Sequence, residues 1–251
     1  MIKINRNFLD LSESHRKKIL MSYKLEDKLE EKINTTNGSI KQFYEYLKNN
    51  LDDILEKDIT FIQTTIIPAI NGILGNDYFT ITALNNNNKQ EKVNKNEIIE
   101  INKIFNYDNF IKVKKRKYDA YDLVISVNIN VCPYCNRQFI NTIKPTVTKG
   151  GTRPTLDHFL LKSEYPYLAL SFWNLVPSCY SCNSQLRTIR DIGLHPYLKG
   201  FEKVLHFYTD ITDITEFIGN SKKYFTLNLK EYKDTKPPVH IPLKAVSHSG
   251  N

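Results

Sequence analysis

With 41% hydrophobic residues, 13 Phe and 15 Tyr, the 251-residue chain has enough apolar surface for a core, and its 9 Gly and 10 Pro exclude a collagen-like or linker composition. The formal net charge of +8 is uneven: residues 101–200 hold 14 Lys+Arg against 6 Asp+Glu, whereas residues 1–100 hold 14 against 15. A basic segment of this kind suits a polyanionic partner such as nucleic acid. Apolar runs such as residues 61–74 are interrupted by Gln63, Thr64, Thr65, Pro68 and Asn71, so no membrane span is expected, and no apolar stretch follows the charges of MIKINRNFLDLSESHRKK. The expected location is the cytoplasm, where four cysteines need a role other than disulfides.

In chain order, residues 11–34 are rich in helix formers and predict a first helix, with Ser12 or Ser14 as its cap. Phe43, Leu47, Leu51, Ile54 and Leu55 follow helical spacing and predict a second, amphipathic helix after Gly38, capped by Ser39 and ending near Lys57. Residues 59–73 are apolar and β-branched, with Pro68 as a breaker, and read as helix or strand. The Asn-rich tract LNNNNKQEKVNK reads as a surface loop, which divides a mainly helical region, 1–94, from a region 95–200 and an extension 201–251. Residues 97–105 and 118–126 predict further helices, separated by the basic run IKVKKRK. The extension mixes short aromatic and β-branched runs with a Pro-rich end and suggests no role.

Chemistry concentrates between residues 130 and 195. Cys132-Pro-Tyr-Cys135 and Cys179-Tyr-Ser-Cys182 each have the two-residue gap that lets both thiolates face one tetrahedral ion, and two such pairs favour a four-thiolate zinc site over redox chemistry. The 43 residues between them exceed a compact zinc ribbon, so something is built inside the clamp. There, residues 156–159 and 174–177 read as short strands, and a helix is expected to start after Cys179 and run towards Arg190. Strand, loop, strand and helix, pinned at both ends, make a ββα unit.

These residues resemble the HNH endonucleases, in the zinc-stapled ββα-metal branch whose pattern runs CxxC, DH, N, CxxCN. Cys132, Cys135, Asp157, His158, Asn174, Cys179, Cys182 and Asn183 supply each element in order, with Asn183 in place of the final His, a substitution common in that family. The resemblance implies an α+β protein: a helical N-terminal part, a zinc-stapled ββα core and a C-terminal extension. It also implies metal-dependent hydrolysis of phosphodiester bonds, in DNA before RNA. More narrowly, the layout is similar to the HNH subunits of Septu-type and retron-associated anti-phage systems, which implies a separate ATPase partner.

Phosphodiester hydrolysis assigns the roles. His158, neutral at physiological pH, is the expected general base. Asp157 and Asn183 offer hard oxygen ligands to a catalytic divalent ion, Mg2+ or Mn2+, separate from the zinc. By resemblance, Asn174 ties the strand-loop-strand turn and holds His158. Lys112, Lys114, Lys115, Arg116, Lys117, Arg137, Lys162, Arg187 and Arg190 are the expected phosphate contacts, which give affinity without reading sequence. Tyr165, Tyr167, Phe172 and Trp173 read as packing, and His195 as structural. The rival from another class is a zinc-dependent module that grips nucleic acid without cutting it, for which Asp157, His158 and Asn183 have no use.

Overall fold

The computed structural model describes residues 4, 6–85, 87–112, 118–146, 148–186, 194–200, 205–209 and 227–231. The protein is α+β. It divides into two compact units, Met1–Lys199 and Gly200–Asn251. In the second, β5 (Leu205–Thr209) and β6 (Leu227–Glu231) pair antiparallel with Phe207 opposite Leu229. Among the described residues no helix is long and apolar enough to cross a membrane.

The single helix expected over 11–34 is two, α1 (Phe8–Tyr23) and α2 (Leu25–Thr35), because Lys24 adopts the left-handed conformation, with φ 50°. Asn7, not Ser12 or Ser14, caps α1 by accepting from the Leu9 N–H. Ser12 lies inside the helix and donates back to the Leu9 carbonyl at 2.9 Å. Phe8, Ser12, His15, Ile19 and Tyr23 form its buried stripe, at steps of three and four. The next predicted helix likewise divides at Asn50 into α3 (Gly38–Asn49) and α4 (Leu51–Glu56). Ser39 falls within the first turn of α3 rather than at its cap.

The ambiguous apolar run is helical: α5 (Ile59–Phe61), a π-helical turn (Ile62–Ile66) and α6 (Ile67–Leu74). Pro68 is the second residue of α6, just past the π turn, where the i to i−4 ladder is already interrupted and its missing N–H costs little. The Asn-rich tract is a hairpin, not an open loop. Its strands β1 (Thr82–Leu84) and β2 (Gln90–Lys92) pair antiparallel, and the Asn85 side chain accepts from the N–H groups of Asn87 and Lys89 at 3.0 Å to close the turn.

Three further helices lead to the cysteines: α7 (Lys95–Ile104), α8 (Tyr107–Ile111) and α9 (Ala120–Val127). Asp119 and Asp122 form a capping box on α9. Beyond them β3 (Thr155–His158) and β4 (Leu175–Ser178) pair antiparallel, with Asp157 opposite Val176 and His158 opposite Leu175. The loop between them lies against α1 and α4. Phe8 of α1 meets Trp173 edge-on with ring centroids 5.9 Å apart, and the Trp173 indole N–H donates to the Glu56 carbonyl of α4 at 2.8 Å. Tyr167, Phe172 and Trp173 are buried in this core.

Candidate metal centre and active site

Each cysteine pair is presented by its own local device. Cys132 and Cys135 sit at the tip of a hairpin in which Val131 bridges Phe139 and the Cys132 N–H donates to the Gln138 carbonyl at 2.9 Å. Asn136, with φ 51°, turns the chain just past Cys135. Cys179 directly follows β4, and a π-helical turn (Ser181–Leu186) carries Cys182, whose N–H donates to the Cys179 sulfur at 3.4 Å.

The four sulfurs lie within 4.8 Å of one another, and Cys135 Sγ is 3.9 Å from Cys179 Sγ. A tetrahedral zinc ion with Zn–S bonds of about 2.3 Å sets sulfur–sulfur edges of about 3.8 Å, so the donor set fits a closed structural zinc. A redox reading needs two separate thiol pairs, whereas here four thiols share one point. Burial raises the Cys132 and Cys182 thiols. Burial also opposes ionisation at Cys135, but the N–H groups of Arg137 and Gln138 outweigh it and hold that thiol at about 7. Four thiolates can coexist in this setting once a cation compensates them, so a metal bound here would release protons and stabilise the fold.

Asp157 and His158 occupy successive positions of β3, so their side chains leave opposite faces of the strand pair. Asp157 is 3% exposed and accepts from the Tyr134 hydroxyl at 2.6 Å, the tyrosine lying between Cys132 and Cys135. His158, half-buried, places Nε2 3.1 Å from the Ala169 carbonyl and packs edge-on to Tyr107 with centroids 4.5 Å apart. A carbonyl only accepts, so Nε2 carries the proton and Nδ1 the lone pair. Burial pushes the imidazole down to about 4; the Ala169 bond opposes this and the Lys162 charge adds to it. The ring is therefore neutral at physiological pH.

Asn174 is fully buried and spans the β3–β4 loop. Its Oδ1 accepts from the Leu160 N–H at 2.6 Å, and its Nδ2 lies 3.1 Å from both the Leu160 and Leu168 carbonyls. Its own carbonyl accepts from the Phe159 N–H, next to His158, at 3.0 Å. Asn183, half-buried, sits in the turn after Cys179 and donates its N–H to the Cys179 carbonyl at 3.0 Å; this turn packs against β3. His195 is buried, places Nε2 2.6 Å from the Trp173 carbonyl and accepts from the Tyr197 N–H.

Of the expected phosphate contacts, Lys162 lies over the Tyr107 ring at 5.2 Å, beside His158. Arg137 is exposed just past Cys135, and Lys112 is exposed at the end of α8. Lys114, Lys115, Arg116, Lys117, Arg187 and Arg190 lie outside the described residues. The sequence pattern passed over Tyr134, whose place inside the first cysteine pair was the available signal. It also passed over Tyr107 and His15, which carried none. The chain matches no protein-family model, no curated protein and no solved structure.

Proposed function

We propose that this protein is an HNH-type endonuclease that hydrolyses phosphodiester bonds of DNA, held together by a zinc ion on Cys132, Cys135, Cys179 and Cys182. The observation that carries this reading is His158. It stands at the end of a strand framed by the two cysteine pairs, it follows an aspartate, and Ala169 fixes its tautomer.

In the proposed reaction, water attacks phosphorus in line with the departing 3′ oxygen, and His158 Nδ1 takes the proton of that water. The P–O3′ bond breaks, and the departing 3′ oxygen takes a proton from solvent, which leaves a 5′-phosphate and a 3′-hydroxyl. Asp157 and Asn183 are the residues that would hold Mg2+ or Mn2+ through hard oxygen donors, and the ion would stabilise charge on the departing oxygen. Asn174 holds the loop that aims the imidazole. Lys162 and Arg137 supply positive charge for the phosphate backbone. The likeness of motif order and layout to Septu-type and retron-associated HNH subunits supports a place in an anti-phage complex with an ATPase partner, with RNA such as tRNA as the alternative substrate.

A second reading, a zinc-dependent binding module that does not cut, draws on the burial of Asp157 and its bond to Tyr134. Cleavage separates the two. The chain, with and without its partner, is incubated with Mg2+ or Mn2+ and plasmid, linear, single-stranded DNA and tRNA. Cutting by wild type and its loss in His158→Ala, with zinc content and fold retained, supports the nuclease. Undiminished cutting by His158→Ala overturns the role of His158, and binding without cutting favours the module.

A further inference from the structure

Three consecutive carbonyls of the β3–β4 loop are each held by a buried or half-buried side chain from a different part of the chain. Asn174 Nδ2 holds that of Leu168, His158 Nε2 meets that of Ala169, and His15 Nε2 meets that of Leu170 at 2.8 Å. His15 belongs to α1, 143 positions before His158, and is 1% exposed.

Its tautomer follows from its partners. The Leu170 carbonyl only accepts, so Nε2 carries the proton, and Nδ1 accepts from the Tyr118 hydroxyl at 2.8 Å. Tyr118 is fixed in turn, because its carbonyl accepts from the Tyr23 hydroxyl at 3.1 Å. Each peptide unit is planar and the backbone turns only at φ and ψ, so anchoring the carbonyls on both sides of Ala169 restricts where the Ala169 oxygen points. That oxygen is the group that sets which nitrogen of His158 is protonated.

We infer that His15, oriented by Tyr118, is a positioning residue for His158: it anchors the Leu170 carbonyl and thereby keeps the Ala169 carbonyl on His158 Nε2. The inference rests on the nuclease reading for its effect on catalysis, but its geometry is independent of it. Helix α1, which has no chemical motif of its own, then has a defined part in the site. His15→Phe keeps a ring of similar size and removes both hydrogen bonds. His15→Gln keeps an amide N–H that reaches towards the Leu170 carbonyl. Tyr118→Phe leaves His15 in place but removes the hydroxyl that donates to its Nδ1.

The test reads the ring nitrogens of His158 by long-range proton–nitrogen NMR on the full chain, together with kcat and KM. Wild type is expected to show the Nε2–H tautomer. His15→Phe is expected to give a mixture of tautomers and a kcat lower by roughly 10- to 100-fold with KM changed less than about twofold, and His15→Gln to recover most of both. Tyr118→Phe shifts the His158 spectrum in the same direction by less, and it decides the matter if His15→Phe does not fold. An unchanged His158 spectrum in the folded variants overturns the inference. If wild type does not cut but the spectrum responds, the positioning link stands and the nuclease reading fails. If wild type cuts and neither spectrum nor kcat moves, the link alone fails.

Discussion

Asn174 and Leu160 exchange two hydrogen bonds, the Leu160 N–H donating to Asn174 Oδ1 at 2.6 Å and Asn174 Nδ2 donating back to the Leu160 carbonyl at 3.1 Å. One side chain thus satisfies both backbone groups of a loop residue two positions after His158. Removing it strands Leu160 and leaves the Leu168 carbonyl with less support. Asn174→Ala is expected to destabilise the protein by about 3 kcal/mol, since each buried polar group left unsatisfied costs about 1–3 kcal/mol. Asn174→Asp should cost more, because it turns a carboxylate towards two carbonyls. Denaturant unfolding checks both, and a loss below about 1 kcal/mol for Asn174→Ala would contradict the clamp.

The thiolate cluster predicts one zinc per chain by elemental analysis. Cys132→Ser and Cys182→Ser are expected to lose zinc and to melt at lower temperature, because metal affinity is folding free energy in such sites. Exchange of backbone amides should rise first around residues 130–140 and 175–183, where the hairpin and the turn after β4 are held by the sulfurs. A cysteine variant that is zinc-free, fully folded and active would refute the site.

His15 gives stability a pH dependence of known sign. Its burial pushes the imidazole from 6.5 to about 4 in the folded protein, and the Leu170 bond only partly opposes this. Between these values the unfolded chain binds a proton that the folded chain does not, so stability is complete above pH 6.5 and falls as pH drops towards 4. The contribution is at most about 3 kcal/mol. Unfolding free energies measured from pH 7 to 4 should fall less steeply for His15→Gln than for wild type. Parallel curves would show that His15 is not the titrating group.

The cysteine clamp is legible because its chemistry is written at short range: two-residue gaps point to four sulfurs on one ion, and the four sulfurs do converge. Alternation predicts a strand over 156–159, and a second short strand is read over 174–177, against observed strands Thr155–His158 and Leu175–Ser178. Helix periodicity found most of the N-terminal elements but not their breaks. A lysine with positive φ, as at Lys24, leaves no mark in composition, and the interruption at Asn50 is equally silent. The hairpin over the Asn-rich tract was missed because its strands are three residues each and nearly all exposed. His15 was invisible for another reason. Its partners are a hydroxyl 103 positions away and a carbonyl 155 positions away, contacts that tertiary packing alone creates.

Tyr134 connects the cysteine clamp to the proposed metal ligand. Its hydroxyl donates to Asp157 Oδ2 at 2.6 Å, and it stands between Cys132 and Cys135, so the hairpin that carries two thiols also orients the carboxylate. A partner that orients a ligand in this way typically carries 10- to 100-fold in metal affinity. Tyr134→Phe keeps the ring in the core and removes the donor alone. It is expected to weaken Mn2+ binding by roughly 10-fold, read by electron paramagnetic resonance of the free ion, while leaving the zinc content unchanged. The same variant separates two roles for Asp157. If the carboxylate serves only as an internal acceptor for the tyrosine, Tyr134→Phe lowers stability by about 1–3 kcal/mol, because the buried acid loses this hydrogen bond, and Mn2+ binding does not respond. If it is a ligand, both quantities change, and Asp157→Asn abolishes the Mn2+ signal that Tyr134→Phe only weakens.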